Sequence, residues 1–119
     1  MAFAQKLQKR AATVGFDWPD VEGAWPKVLE EIAEVRAAAP ENVADEVGDL
    51  LFACVNVARH LGVDAEMALR QAARKFASRF VEVERLAARD GLAMPGAPLE
   101  ALDALWDAAK RVRNDPGAV

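Results

Sequence analysis

Two pairs of acidic residues have the spacing of a metal-binding carboxylate site. Glu31 and Glu34 form one pair, Glu46 and Asp49 form the other, and the members of each pair are three residues apart. On an α-helix this spacing brings two carboxylates onto neighbouring positions, within about 6 Å of each other. Two such helices packed together would form a cage of four carboxylate ligands. Carboxylate ligation favours a hard ion, so we expect Mg²⁺, with Mn²⁺ as a possible substitute, rather than Zn²⁺ or copper.

Ordinary ion pairing is the alternative interpretation of these acids. A buried carboxylate must be paired or neutralised, because an isolated buried charge costs several kcal/mol. Lys27 lies four residues before Glu31 and suits a solvated helical pair. The four acids could also form internal salt bridges with basic residues elsewhere in the chain. The candidate partners are Arg59, Arg74, Lys75 and Arg79.

A basic segment follows the acidic one along the chain. Residues 70–89 contain six Arg or Lys side chains, and two of them, Lys75 and Arg79, are four residues apart on one helical face. Considered without the acidic segment, such a basic face would be ordinary surface charge that keeps the protein soluble. Opposite an acidic metal site, it would supply cations that hold a polyphosphate.

Composition predicts one globular domain. The chain has 119 residues, is 53% hydrophobic and 29% charged, and carries a net charge of −4. This length is typical of a single core, so we expect one domain over residues 1–113 and a flexible tail over residues 114–119. The acidic balance disfavours a nucleic-acid partner. We find no apolar run of membrane-spanning length and no signal peptide, and we expect a cytoplasmic protein with no membrane partner.

The sequence lacks the residues that several other catalytic chemistries require. The sequence has one histidine, His60, which argues against a Ser-His-Asp or Cys-His nucleophile system. It has no HExxH motif, no EF-hand loop and no Gly-rich phosphate loop. A nucleotide would therefore be held through a metal ion and basic side chains.

Proline, glycine and capping residues divide the chain into about five helices. We expect helices over residues 2–13, 24–40, 42–61, 64–89 and 99–112, and no strands, because no segment alternates with period two. The third helix is apolar around most of its circumference. We expect core stripes in the second and third helices, which contain Trp25, Leu29, Ile32, Val43, Val47, Leu51 and Cys54. The fold class is thus all-α, and the extra apolar surface suggests covering by a second chain.

Several motifs resemble the all-α nucleoside triphosphate pyrophosphohydrolases, the group that includes MazG and dimeric dUTPases. The acidic signature is Glu30-Glu31-Ile32-Ala33-Glu34 followed, after an eleven-residue gap, by Glu46-Val47-Gly48-Asp49. The segments Val14-Gly15-Phe16-Asp17-Trp18-Pro19, Asn56-Val57-Ala58-Arg59-His60-Leu61 and Lys75-Phe76-x-x-Arg79-Phe80 resemble MazG in particular. The resemblance covers about residues 5–112.

The resemblance implies a function and a set of site residues. It implies a helical homodimer that hydrolyses nucleoside triphosphates to monophosphates and pyrophosphate with Mg²⁺. The metal ligands would be Glu31, Glu34, Glu46 and Asp49, with Glu30 orienting water. The substrate-binding residues would be Lys27, Lys75 and Arg79 at the phosphates, Trp106 and Lys110 at the nucleotide, Phe16 and Trp18 at base or sugar, and Asn56. A narrow dUTPase-like enzyme and a non-catalytic helical dimerisation module are the alternatives.

Overall fold

The part of the chain that the structure describes is built from five α-helices. The computed structural model describes residues 1–114, and within that range it contains no β-strand. Of the tail expected at residues 114–119, Asn114 belongs to the last helix and the others lie outside the described residues. The all-α prediction is confirmed. The helices are α1 Ala2–Ala12, α2 Val21–Ala37, α3 Val43–His60, α4 Ala65–Arg89 and α5 Leu99–Asn114, with a 3₁₀ turn, Pro40–Asn42, before α3.

Capping side chains set where two of the helices begin. The Asp20 carboxylate accepts a hydrogen bond from the Glu22 amide at 3.0 Å, so α2 begins at Val21 rather than near residue 24. Pro26 consequently lies in the second turn of α2, whereas the expected helix over residues 24–40 placed it in the first turn. Asp64 accepts from the Met67 amide at 3.0 Å and caps α4, as predicted. Gly62, at φ +74°, supplies the left-handed residue that ends α3.

The chain divides into two compact units, residues 1–69 and the part that begins at Arg70, which are described separately. In the first unit, α3 packs against both α1 and α2. Small side chains are buried there, including Ala24 and Ala53. In the second unit, the core contains Val83, Leu86, Ala87, Leu105 and Ala109, which come from α4 and α5. No described helix is long and apolar enough to cross a membrane.

Two buried glutamines attach α1 to the rest of the first unit. Gln5 accepts a hydrogen bond from the Ala65 amide at 2.8 Å and donates to the Val63 carbonyl at 3.3 Å. Gln8 donates to the Phe52 carbonyl at 2.9 Å. Gln5 therefore satisfies a buried amide at the start of α4 and links it to α1.

We expect Gln5→Ala to destabilise the protein by about 1–3 kcal/mol, because it leaves the buried Ala65 amide without its acceptor. Urea denaturation followed by circular dichroism measures this difference. Lys6→Ala, at the exposed neighbouring position, is the control. Equal midpoints for the two variants would contradict this role of Gln5.

The predicted core stripes of α2 and α3 are wrong in part. Cys54 is exposed, and so are the apolar residues Trp25, Leu29, Ile32, Val43, Val47 and Leu51. The buried residues of α3 are Ala53, Val55 and Val57. Because α3 is apolar around most of its circumference, periodicity could not show which part of that surface the chain's own helices cover.

Candidate metal and nucleotide site

Three of the four predicted metal ligands converge in the first unit. One carboxylate oxygen from each of Glu31, Glu46 and Asp49 lies within 4.8 Å of the others. The short connection after Ala37 turns the chain back, so that α3 packs along α2 and the two acidic segments meet. Glu34 is exposed and lies outside this group of three, although its charge raises the pKa of Glu46.

Lys27 neutralises part of the acidic cluster. Glu31 is only 5% exposed, and its carboxylate lies 2.9 Å from the Lys27 ammonium group. This ion pair raises the pKa of Lys27, mainly through the hydrogen bond to Glu31. Glu30 is exposed and lies 3.5 Å from the same ammonium group. The Lys27–Glu31 pair expected from the i, i+4 spacing is therefore present.

The electrostatics of Glu46 indicate uncompensated negative charge. Partial burial raises the pKa of its carboxyl group above the ordinary value of 4.5, and repulsion from the Glu34, Asp49 and Glu31 carboxylates adds to the effect. Clustered oxygen donors with excess negative charge suit a hard divalent cation. The residues present therefore fit a Mg²⁺ or Mn²⁺ ion.

The raised pKa predicts how Glu46 affects stability. The folded protein binds this proton more tightly than the unfolded chain, so the charged carboxylate destabilises the fold above its folded-state pKa. The penalty decreases as the pH falls through that value and is absent below the ordinary value of 4.5. In EDTA at about pH 7, we expect Glu46→Gln to melt at a higher temperature than the wild type, with a smaller difference toward pH 4.5.

Thermal melts of both proteins across this pH range test the expectation. Added MgCl₂ should raise the melting temperature of the wild type more than that of Glu46→Gln, because the variant loses a carboxylate ligand. A variant that melts below the wild type at neutral pH in EDTA would contradict the expected charge repulsion.

A cavity adjoins the acidic cluster within the first unit. Its volume is about 750 Å³, and Lys27 and Asp49 form part of its wall. Phe16 and Trp18, two predicted substrate-binding residues, also line it, together with Asn56 of α3. Much of the remaining wall is apolar, contributed by Leu7 and Ala11 of α1 and by Phe52 and Ala53 of α3. The cavity thus combines charged groups at the acidic cluster with an aromatic and apolar lining.

One polar contact in the cavity wall was not anticipated from the sequence. The Asp17 carboxylate accepts a hydrogen bond from Arg59 Nη2 at 2.6 Å and contacts His60 Nε2 at 3.0 Å. Arg59 lowers the pKa of Asp17 through this hydrogen bond. Arg59 had been a candidate partner of the metal-site acids, but its ion pair is with Asp17 instead. The sequence signal was weak, since 42 residues separate the two partners.

The other predicted substrate-binding residues belong to the second unit. The Arg79 guanidinium lies 5.8 Å from the centroid of the Trp106 ring, and Phe76 lies 5.3 Å from the same ring, centroid to centroid. Arg79 Nε is buried and has no hydrogen-bond partner among the described residues. Lys75 and Lys110 are exposed. Arg79 and Trp106 therefore form a cation–π pair.

Known proteins resemble this chain over the segment that carries the acidic cluster. Residues 22–83 match the MazG nucleotide pyrophosphohydrolase domain family. The chain is 46% identical, over 111 residues, to the nucleoside triphosphate pyrophosphohydrolase/pyrophosphatase MazG of Thermotoga maritima, covering 92% of this chain and 44% of that protein. It is 51% identical, over 118 residues, to the nucleoside triphosphate pyrophosphohydrolase of Escherichia coli K12, covering 94% of this chain and 45% of that protein.

These matches include both halves of the acidic cluster. The chain spans less than half the length of these two relatives, at 44% and 45%. The matched family segment nevertheless contains Glu31, Glu46 and Asp49, whose carboxylates converge between α2 and α3. The chain therefore belongs to the MazG nucleotide pyrophosphohydrolase domain family.

Proposed function

We propose that this protein is a Mg²⁺-dependent nucleoside triphosphate pyrophosphohydrolase that converts NTPs and dNTPs to monophosphates and pyrophosphate, clearing the nucleotide pool. The convergence of three carboxylates beside a cavity of about 750 Å³ carries the proposal. Asp49 belongs to the acidic cluster and also lines the cavity. A ligand in this cavity can therefore contact the acidic cluster.

The acidic residues would hold the metal. Glu31, Glu46 and Asp49 are the ligands that the geometry favours. Glu34, which lies outside this group of three, would be the fourth ligand that the family resemblance implies. Bound Mg²⁺ would supply charge neutralisation between these carboxylates and a triphosphate, and would lower the pKa of a coordinated water. Without a cation the site would repel the substrate.

The remaining residues would bind and orient the substrate. Lys27 forms part of the cavity wall and reaches the acidic cluster, which suits a phosphate contact. Phe16, Trp18 and Asn56 would contact the nucleoside in the cavity. Glu30, exposed beside Lys27, would orient the water that attacks the α-phosphorus. The similarity to MazG proteins supports Lys75 and Arg79 as residues that would bind the leaving pyrophosphate, and Trp106 and Lys110 as residues that would bind the nucleotide.

We also propose a cytoplasmic homodimer with residues 1–113 as one catalytic domain. Its support is the exposed apolar surface on α2 and α3, which includes Trp25, Leu29, Val47 and Leu51. Monomeric soluble proteins rarely expose large contiguous apolar patches, so a second copy would cover this surface. Analytical ultracentrifugation gives the mass that tests it.

A panel of nucleoside triphosphates tests the proposed activity. Each NTP and dNTP, including dUTP, is incubated with the protein and MgCl₂, and pyrophosphate and monophosphate are measured. Release from several nucleotides supports the proposal, and release from dUTP alone would instead indicate a dUTPase-like enzyme. No pyrophosphate from any nucleotide, together with no effect of Mg²⁺ on melting, would indicate a non-catalytic dimerisation module.

A further inference from the structure

The loop between α1 and α2 carries two aromatic side chains to the cavity. Phe16 and Trp18 line the cavity, although their residues are 83% and 46% exposed. Exposed aromatic side chains on a loop are not held in place by a core. Their position must therefore come from specific contacts of the loop with the helices.

Two contacts attach the loop, one to α2 and one to α3, and Asp17 and Arg59 of the second contact also line the cavity. A side chain at Gly23 would place its Cβ 3.0 Å from the Trp18 Cβ, so Trp18 packs closely on the first turn of α2. In the second contact, Asp17 Oδ1 lies against both Arg59 and His60 at the end of α3. The same Asp17 oxygen accepts a hydrogen bond from the Trp18 amide at 2.9 Å. Asp17 thus connects the aromatic loop to α3.

The Arg59 guanidinium extends this contact to a predicted substrate-binding residue. Arg59 Nη2 donates to the Asn56 Oδ1 atom at 2.7 Å as well as to Asp17. Arginine has donors only, so Asn56 must present its oxygen to Arg59. Because the oxygen of the Asn56 side chain contacts Arg59, the side chain can make other contacts as a donor, through its Nδ2 hydrogens.

We propose that Asp17 and Arg59 are positioning residues, which hold Phe16 and Trp18 at the cavity and fix Asn56 as a hydrogen-bond donor to the nucleoside. The partner of Asn56 is then an acceptor on the base or sugar. This inference rests on the proposed function for the identity of the ligand, whereas the loop attachment can be measured without any nucleotide.

Asp17→Asn tests the attachment because it removes the charge at almost constant size. In the nucleotide-free protein, we expect amide hydrogen exchange in residues 14–18 to accelerate by about tenfold or more. We expect KM for a nucleoside triphosphate to rise by about tenfold, with kcat within about threefold of wild type, because the lost contacts position the nucleoside rather than the reacting phosphate.

Asp20→Asn is the matched control in the same loop. Asp20 caps α2, and asparagine caps a helix equally well, so we expect unchanged exchange and kinetics. Asn56→Asp separates the two consequences of the contact. It retains an oxygen acceptor for Arg59 but removes the donor, so KM should rise while loop exchange stays at the wild-type rate.

The exchange measurement and the kinetic measurement distinguish a failure of the loop attachment from a failure of the proposed function. Wild-type loop exchange in Asp17→Asn, or a loss confined to kcat, would overturn the positioning role. Accelerated exchange in Asp17→Asn, combined with no pyrophosphate release by the wild type, would refute the proposed function but support the loop attachment. A KM unchanged in Asn56→Asp would overturn the assignment of Asn56 as a donor.

Discussion

Asp49→Asn is expected to reduce pyrophosphate release by about 10³-fold or more, because a carboxylate ligand of a catalytic cation supports several kcal/mol of transition-state stabilisation. Asp49 belongs to the carboxylate cluster and also lines the cavity, so it would contact both the proposed metal and the proposed substrate. Glu46→Ala should have a comparable effect. Its carboxylate lies within 4.8 Å of those of Glu31 and Asp49.

The fold should survive both changes. Asp49 is exposed and Glu46 is half-buried, so neither supports the core. Far-UV circular dichroism checks the helical content, and a coupled pyrophosphate assay measures the rate. Asp45→Asn is the matched control, because Asp45 is exposed on the same helix and lies outside the cluster of three. Wild-type turnover in Asp49→Asn would refute the metal site as the catalytic centre.

The second large effect is expected at Arg79. Arg79→Ala should reduce kcat/KM by about 10²–10³-fold, the loss seen when one group that stabilises transition-state charge is removed. The Arg79 guanidinium is held over Trp106, which orients it before substrate binds. Arg79→Lys should recover only part of the loss, because lysine keeps the charge but not the planar guanidinium.

Arg85→Ala is the control for Arg79. Arg85 lies on the same helix, but its guanidinium pairs with Glu82 at 3.0 Å on an exposed surface. We expect its steady-state kinetics to match those of the wild type. If Arg79→Ala and Arg85→Ala lost activity equally, the general basic character of α4 would explain the effect, and the specific role of Arg79 would be wrong.

Local signals made the helices and the acidic pairs predictable. Asp64 and Gly62 act within a few residues of their own positions, and the structure uses both as predicted. The spacing of Glu46 and Asp49 likewise fixes their separation on one helix. The start of α2 was placed three residues too late, because the Asp20 cap determines its first turn and leaves Pro26 in the second.

Contacts between distant segments were not predictable in the same way. The pairing of Asp17 with Arg59 spans 42 residues, and several acids could have paired with that arginine. The exposed surface of α3 was missed for a related reason. Hydrophobicity shows that Val47 and Leu51 favour burial, but not whether their own chain or another copy covers them.

The sequence by itself determined the all-α class, the helix ends at Gly62 and Asp64, and the two pairs of acids that indicate a metal site. These depend on backbone geometry over a few residues. Only the tertiary structure decided that Glu31, Glu46 and Asp49 meet while Glu34 lies outside their group, and that Asp17 attaches the aromatic loop beside the cavity. Those outcomes depend on how α2 and α3 are rotated and packed, which many residues decide together and no local spacing records.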